Sequence, residues 1–142
     1  MRIDTLELRN FKKFEAATFE FARSADAPPT AGSFHVLIGE NGTGKTSILD
    51  ALAVTLGVWL QEVPDSLLAN SRRKLTADQK RIVARRVGDR VLLREAPRSM
   101  TVHAKGSMLG RPFNWGPTLS VGKKNVSNKD SKRAVAAITD AY

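Results

Sequence analysis

Phe34-His35-Val36-Leu37-Ile38-Gly39-Glu40-Asn41-Gly42-Thr43-Gly44-Lys45-Thr46 is the stretch on which the fold turns. Its first five residues form a short apolar run, the pattern of a strand buried on both faces. Gly39 to Thr46 then matches G-x-x-x-x-G-K-[ST] in full. Beyond it, Thr46 to Leu60 is apolar nearly all round, which predicts a buried helix. Strand, glycine-rich turn and helix in that order suit the binding of phosphates. Glycines permit backbone angles that turn successive N–H groups inward around phosphate oxygens. The helix N-terminus adds partial positive charge. Lys45 is placed to reach the β- and γ-phosphates of a nucleoside triphosphate, and the Thr46 hydroxyl to complete the shell of a Mg²⁺ ion. Gly39, Glu40, Asn41, Gly42, Thr43, Gly44, Lys45 and Thr46 are thus the nucleotide-binding candidates, with Lys45 the catalytic one and Thr46 the metal ligand.

Working outward, residues 2–9 (RIDTLELR) and 16–21 (AATFEF) alternate apolar and polar side chains, Phe19 and Phe21 sharing one face. Both predict strands, joined through Asn10–Glu15. Ala22–Ser33, with Pro28-Pro29 and Gly32, has the character of a loop. After Pro64 the composition changes. Thr76 with Gln79 three residues on forms a capping box that predicts a helix to about Val87. Ser99–Val121 predicts two strands around Ser107–Gly110, and Asn128 or Lys129 starts a last helix with Ala134, Val135 and Ile138 as its stripe. The expected organisation is a nucleotide-binding core at 1–64, a basic helical insert at 65–98, and a β-hairpin with the start of a helix at 99–142.

The chain has 142 residues, 42% of them hydrophobic, enough for a core in one domain. With no cysteine there can be no disulfide framework, Cys-ligated zinc, iron–sulfur cluster or thiol nucleophile. No run approaches the roughly 20 apolar residues of a membrane span, so a cytoplasmic location and no membrane partner are expected. Charge is unevenly spread: the total of +9 combines −2 over residues 1–64 with +11 over residues 65–142. That asymmetry suggests a polyanion partner for the second half, or equally a solvated basic face or an acidic partner protein. If residues 76–87 are helical, Lys80, Arg81, Arg85 and Arg86 lie on its outer face as nucleic-acid candidates while Ile82 and Val83 pack inward.

The residues around the loop carry a family resemblance. Arg9-Asn10-Phe11-Lys12-Lys13-Phe14 resembles the "R/K-N-F-R/K-x-F" element of the ABC-type ATPases related to RecF, the structural-maintenance-of-chromosomes proteins and the OLD nucleases. Gly39-Glu40-Asn41-Gly42 resembles their "G-x-N-G" loop. Phe113-Asn114-Trp115 and Lys129-Asp130-Ser131-Lys132 follow in an order similar to that of predicted ATPases of bacterial antiphage systems such as Septu. The resemblance implies an α/β P-loop NTPase fold: the N-terminal lobe of an ABC-type head, with a mixed sheet whose third strand leads into the loop and an antiparallel β arm after the first helix. It adds Ser47 to the nucleotide-binding residues and places Lys12 near the phosphates, although a solvated lysine in a turn explains Lys12 equally well. It implies ATP and Mg²⁺ as cofactors, a homo-oligomer of heads sandwiching ATP, and a partner nuclease or DNA gated by hydrolysis. A nucleotide-dependent sensor with little turnover is the alternative.

Such a head also needs four apolar residues followed by Asp-Glu, to support Mg²⁺ and polarise water. Val135–Asp140 lacks the glutamate. Leu119-Ser120-Val121-Gly122-Lys123 imitates the family signature "L-S-G-G-Q", but Val121 replaces a glycine, and a strand end running into a turn explains it better. The fold is therefore expected to be incomplete within these residues, which should bind ATP without hydrolysing it at an enzymatic rate. Neither His35 nor His103 has a partner at metal-ligand spacing. The absence of an Asn/Thr-Lys-x-Asp string argues against a guanine-specific GTPase.

Overall fold

A computed structural model describes residues 1–21, 32–60, 73–108, 110–123, 126–129, 131–132 and 136. Two strands open the chain, β1 (Arg2–Phe11) and β2 (Phe14–Glu20). They form a hairpin in which Phe11 faces Phe14 across a two-residue turn, Lys12-Lys13. Asn10 and Lys12 both take φ of 48°, the left-handed region that side chains other than glycine rarely enter. The turn is held there by its neighbours. The Asn10 amide donates to the Ser99 carbonyl at 2.9 Å, and the Lys12 N–H donates to the Gln79 carbonyl at 2.6 Å.

Helix α1 (Lys45–Gly57) follows the glycine-rich loop and continues as a 3₁₀ turn over Val58–Leu60. A second hairpin comprises β3 (Ile82–Val87) and β4 (Arg90–Glu95). Then come β5 (Met100–Met108), β6 (Arg111–Trp115), β7 (Thr118–Leu119) and β8 (Val126–Ser127). The main sheet runs β2-β1-β5-β7-β8, with β6 beside the other half of β5. Every strand pair among the described residues is antiparallel.

One face of this sheet is apolar and the other polar, as antiparallel sheets allow. Leu6 and Leu8 of β1 and Met100 and Val102 of β5 pack against Ile48, Ala51 and Val54 of α1. On the other face Glu7 of β1 pairs with Lys105 of β5, and His103 bonds Thr118 at 3.1 Å. Behind the far end of α1, buried Trp115 donates from Nε1 to the Thr55 carbonyl at 3.1 Å and meets Trp59 edge-on. These contacts seat the helix on the sheet and so fix where its first turn points.

Several expectations need correction. Phe34–Ile38 is not a strand buried on both faces: Phe34 and Ile38 are 92% and 91% exposed and no described segment pairs with them. Such a run is buried only by strands on both edges, and among the described residues none is parallel. The expected mixed sheet is accordingly not seen there. α1 buries Ile48, Ala51 and Val54, whereas its Leu49 and Leu56, and Leu60 in the turn after it, are exposed. The helix expected to Val87 is one 3₁₀ turn, Ala77–Gln79, whose box survives as Thr76 N–H donating to Gln79 Oε1 at 3.0 Å. Beyond it the β-branched Ile82, Val83 and Val87 and the Gly88-Asp89 turn favour a hairpin. A last helix is present at Lys129, Ser131 and Lys132. Its expected stripe, Ala134, Val135 and Ile138, lies outside the described residues, as does Asp140.

Candidate phosphate-binding site

Gly39–Thr43 lies exposed ahead of half-buried Gly44 at the N-terminus of α1. Gly42 and Gly44 take φ of 81° and 108°, angles open to glycine and strained for other residues. Thr43 closes the turn, its hydroxyl donating to the Glu40 carbonyl at 2.9 Å. Gly44 caps α1 without a side-chain hydrogen bond, and no acidic residue stands in the first turn. The first intrahelical bond runs from Ile48 N–H to Gly44 O at 3.0 Å. The N–H groups of Lys45, Thr46 and Ser47 thus find no acceptor among the described residues, which leave the positive end of α1 without a partner.

Lys45 folds back over this loop, donating from Nζ to the carbonyls of Gly39 at 2.5 Å and Glu40 at 2.7 Å. Neutral carbonyls are weak partners for an ammonium compared with phosphate oxygens. The Thr46 hydroxyl makes no hydrogen bond among the described residues, and it is exposed. A cation on a short tether, unpaired N–H groups and a free hydroxyl fit a triphosphate with Mg²⁺ held at Thr46. They do not form a protein-only metal site. No cluster of three His, Cys, Asp or Glu occurs among the described residues.

The β1–β2 turn is the second wall of the site. The Phe14 ring lies against Gly44, so that a Cβ built there would sit 2.6 Å from Phe14 Cζ and 3.0 Å from Lys13 Cδ. Lys13 donates from Nζ to the Gly42 carbonyl. Lys12, expected near the phosphates or in solvent, pairs through its Nζ with Asp50 of α1. Asp50 also holds Arg73 at 3.1 Å. Lys13 is the residue of this turn seen to touch the loop. The alternation of Phe11 and Phe14 about a two-residue turn is the one sequence signal that bears on it.

The Lys12 hydrogen bond, followed by that of Arg73, holds the Asp50 carboxyl below its ordinary 3.8 despite partial burial. A depressed folded value stabilises the fold above the unfolded value, and that gain is lost as pH falls through the folded one. Asp50→Asn should thus cost about 1 kcal/mol at neutral pH. The difference from wild type should shrink below about pH 4, as followed by thermal melting across a pH series. An unchanged difference at low pH would show that the carboxylate charge is not what Asp50 contributes.

The other candidates are dispersed. Lys80 is 8% exposed and pairs with Glu95, and Arg81 pairs with Glu15. Arg85 and Arg86, being neighbours on a strand, point to opposite faces. No common outer face of four cations exists. Leu119 is buried at the end of β7 and Val121-Gly122 forms the turn after it, as a strand end would. His35 lies in the extended segment rather than a strand, bonded to Ser33.

A glycine-lined backbone loop at a helix N-terminus, with a lysine over it and a threonine beside it, defines a P-loop nucleoside triphosphatase. The chain belongs to the AAA ATPase domain family, whose model matches residues 1–81. It is also similar to a Septu protein PtuA from Bacillus mycoides (strain KBAB4), 41% identical over 56 residues. That match covers 38% of this chain and 7% of the relative. No helix among the described residues is long and apolar enough to cross a membrane.

Proposed function

We propose that this chain supplies the ATP-binding lobe of an ABC-type ATPase whose heads close around ATP, hydrolysis then gating DNA engagement or a partner nuclease in phage defence or DNA repair. The observation that carries the nucleotide part is the unpaired first turn of α1 beneath Lys45. The similarity to the Septu protein supports the defence setting. Phosphate oxygens offer Lys45 a stronger partner than the carbonyls it now meets, so binding draws it across the loop. Lys13 and Phe14 meanwhile contact Gly42 and Gly44 and would hold the loop in its left-handed turn as the ligand binds. Mg²⁺, held through Thr46, would neutralise charge on the β- and γ-phosphates.

The test is Thr46→Ala in the full-length protein. The loop glycines and Lys45 stay in place, so the defect should fall on the metal. The Mg²⁺ concentration giving half-maximal ATPase should rise about tenfold, one lost ligand being worth ~1.4 kcal/mol or more, and activity should recover at high Mg²⁺. An unchanged Mg²⁺ dependence would remove Thr46 from the metal shell.

A further inference from the structure

Among the described residues, the hairpin β3–β4 is hydrogen-bonded to the main sheet at its base. There, Arg81 N–H donates to Asn10 O and Ala96 N–H donates to Arg81 O, both at 2.8 Å. The pairs Lys80–Glu95 and Arg81–Glu15 flank these bonds. Beyond the base every residue of β4 is exposed. Its register sets Val83 opposite Arg94, Arg85 opposite Leu92, and Val87 opposite Arg90.

Residues directly opposed in an antiparallel pair share a face. One face therefore carries Arg85, Arg90 and Arg94 with Val83, Leu92 and Val87. The other carries Ile82, Ala84, Val91 and Leu93 with Arg86 and Glu95. Arg85 sits diagonally between Arg90 and Arg94, about 7–8 Å from each. Not one carboxylate lies on that face: Glu95, the single acid of the two strands, is opposite and tied to Lys80. Arg85, Arg90 and Arg94 make no ion pair or hydrogen bond among the described residues. Three guanidinium groups are thus gathered on one face of a two-stranded ribbon, without an ion pair among the described residues.

We propose that this arginine face binds the phosphate backbone of double-stranded nucleic acid. A two-stranded ribbon fits a groove about 12 Å wide, and Arg90 and Arg94 are about 13 Å apart along their strand, so they can meet phosphates several nucleotides apart. The ribbon carries no aromatic side chain and offers no platform for unpaired bases. Binding is therefore independent of sequence and falls steeply with salt. An anionic membrane fits less well. The most apolar side chains lie on the face away from the three arginines, and there is no Trp or Tyr for an interface. This inference deepens the proposed function and rests on it for its purpose, while its chemistry is independent of the nucleotide.

The experiment compares full-length wild type with the Arg85→Ala/Arg90→Ala/Arg94→Ala variant on short duplexes of two unrelated sequences, across a salt series, with and without ATP. The log–log salt slope should flatten by about 2.7, near 0.9 for each lost contact, and affinity near 0.1 M salt should drop a few hundredfold for both sequences. ATP binding should not change. Arg86→Ala, on the opposite face, should leave the slope alone, and the triple Arg→Lys variant should keep it. If the triple alanine variant loses ATP binding and hence its fold, single Arg→Gln changes replace it, each expected to flatten the slope by about 0.9. Lys45→Ala separates the two readings: it should weaken nucleotide binding and keep the nucleotide-free DNA slope. An unchanged slope in the arginine variants would overturn the proposal, as would an equal effect of Arg86→Ala. Loss of binding to phosphatidylserine vesicles with DNA binding intact would assign the face to lipid and overturn it too.

Discussion

Lys45→Ala in the full-length protein is expected to abolish measurable ATP hydrolysis and to weaken ATP binding about 10- to 100-fold. The ammonium is a charge held by nothing stronger than the carbonyls of Gly39 and Glu40, so it is free to move to phosphate. A hydrogen bond to a charged group contributes about 1.5–3 kcal/mol, the source of that range. Turnover should suffer more than binding, because phosphoryl transfer depends almost wholly on positioning and on neutralising charge in the transition state. The glycine loop and the α1 N-terminus remain, so some binding should survive. Stability should fall little, since the hydrogen bonds lost are those to two exposed loop carbonyls. ATPase assays together with equilibrium ATP binding check this, and wild-type turnover in the variant would remove the loop from catalysis.

Gly44→Ala should be the most damaging change within the loop for a different reason. Its φ of 108° is strained for any L side chain, and the added Cβ would lie 2.6 Å from Phe14 Cζ. Strain and overpacking together should cost about 2–4 kcal/mol and displace either the loop or the β1–β2 turn. Loss of ATP binding should accompany a lower melting temperature. Gly42→Ala supplies the contrast. Its φ of 81° is also positive, but a Cβ there meets nothing within 4 Å, so its cost should stay near 1 kcal/mol. Combining Gly44→Ala with Phe14→Ala should cost less than the sum of the two, because the ring is what the new methyl strikes. Strict additivity would show that the turn does not wall the site.

These expectations divide by how far apart in the chain their causes lie. The loop, the start of α1, the β1–β2 hairpin and the strand end at Leu119 were legible in the residues themselves. Each depends on neighbours within a few positions: glycines where the backbone must turn, a helix opening without a capping side chain, apolar residues alternating about a short turn. The chemistry proposed for Lys45 and Thr46 belongs to this group, because a phosphate cradle made of consecutive N–H groups is a local object.

What only the tertiary structure decided concerns pairing across distance. Lys12 and Lys13 are chemically alike, yet one meets Asp50 38 residues away and the other Gly42 29 residues away. Asn10 is a routine polar residue until Ser99 and Arg81 hold it in a left-handed turn. The capping box at Thr76 is present in both sequence and structure, but it closes one 3₁₀ turn. The next residues gain more by pairing as a ribbon anchored to β1 than by continuing a helix, and that ribbon places Arg85 and Arg86 on opposite faces. Phe34–Ile38 has the composition of a central strand and no partner among the described residues. The division has one physical cause: a turn or a helix start satisfies its hydrogen bonds within itself, whereas a strand and an ion pair acquire their state from whatever residue the fold sets beside them.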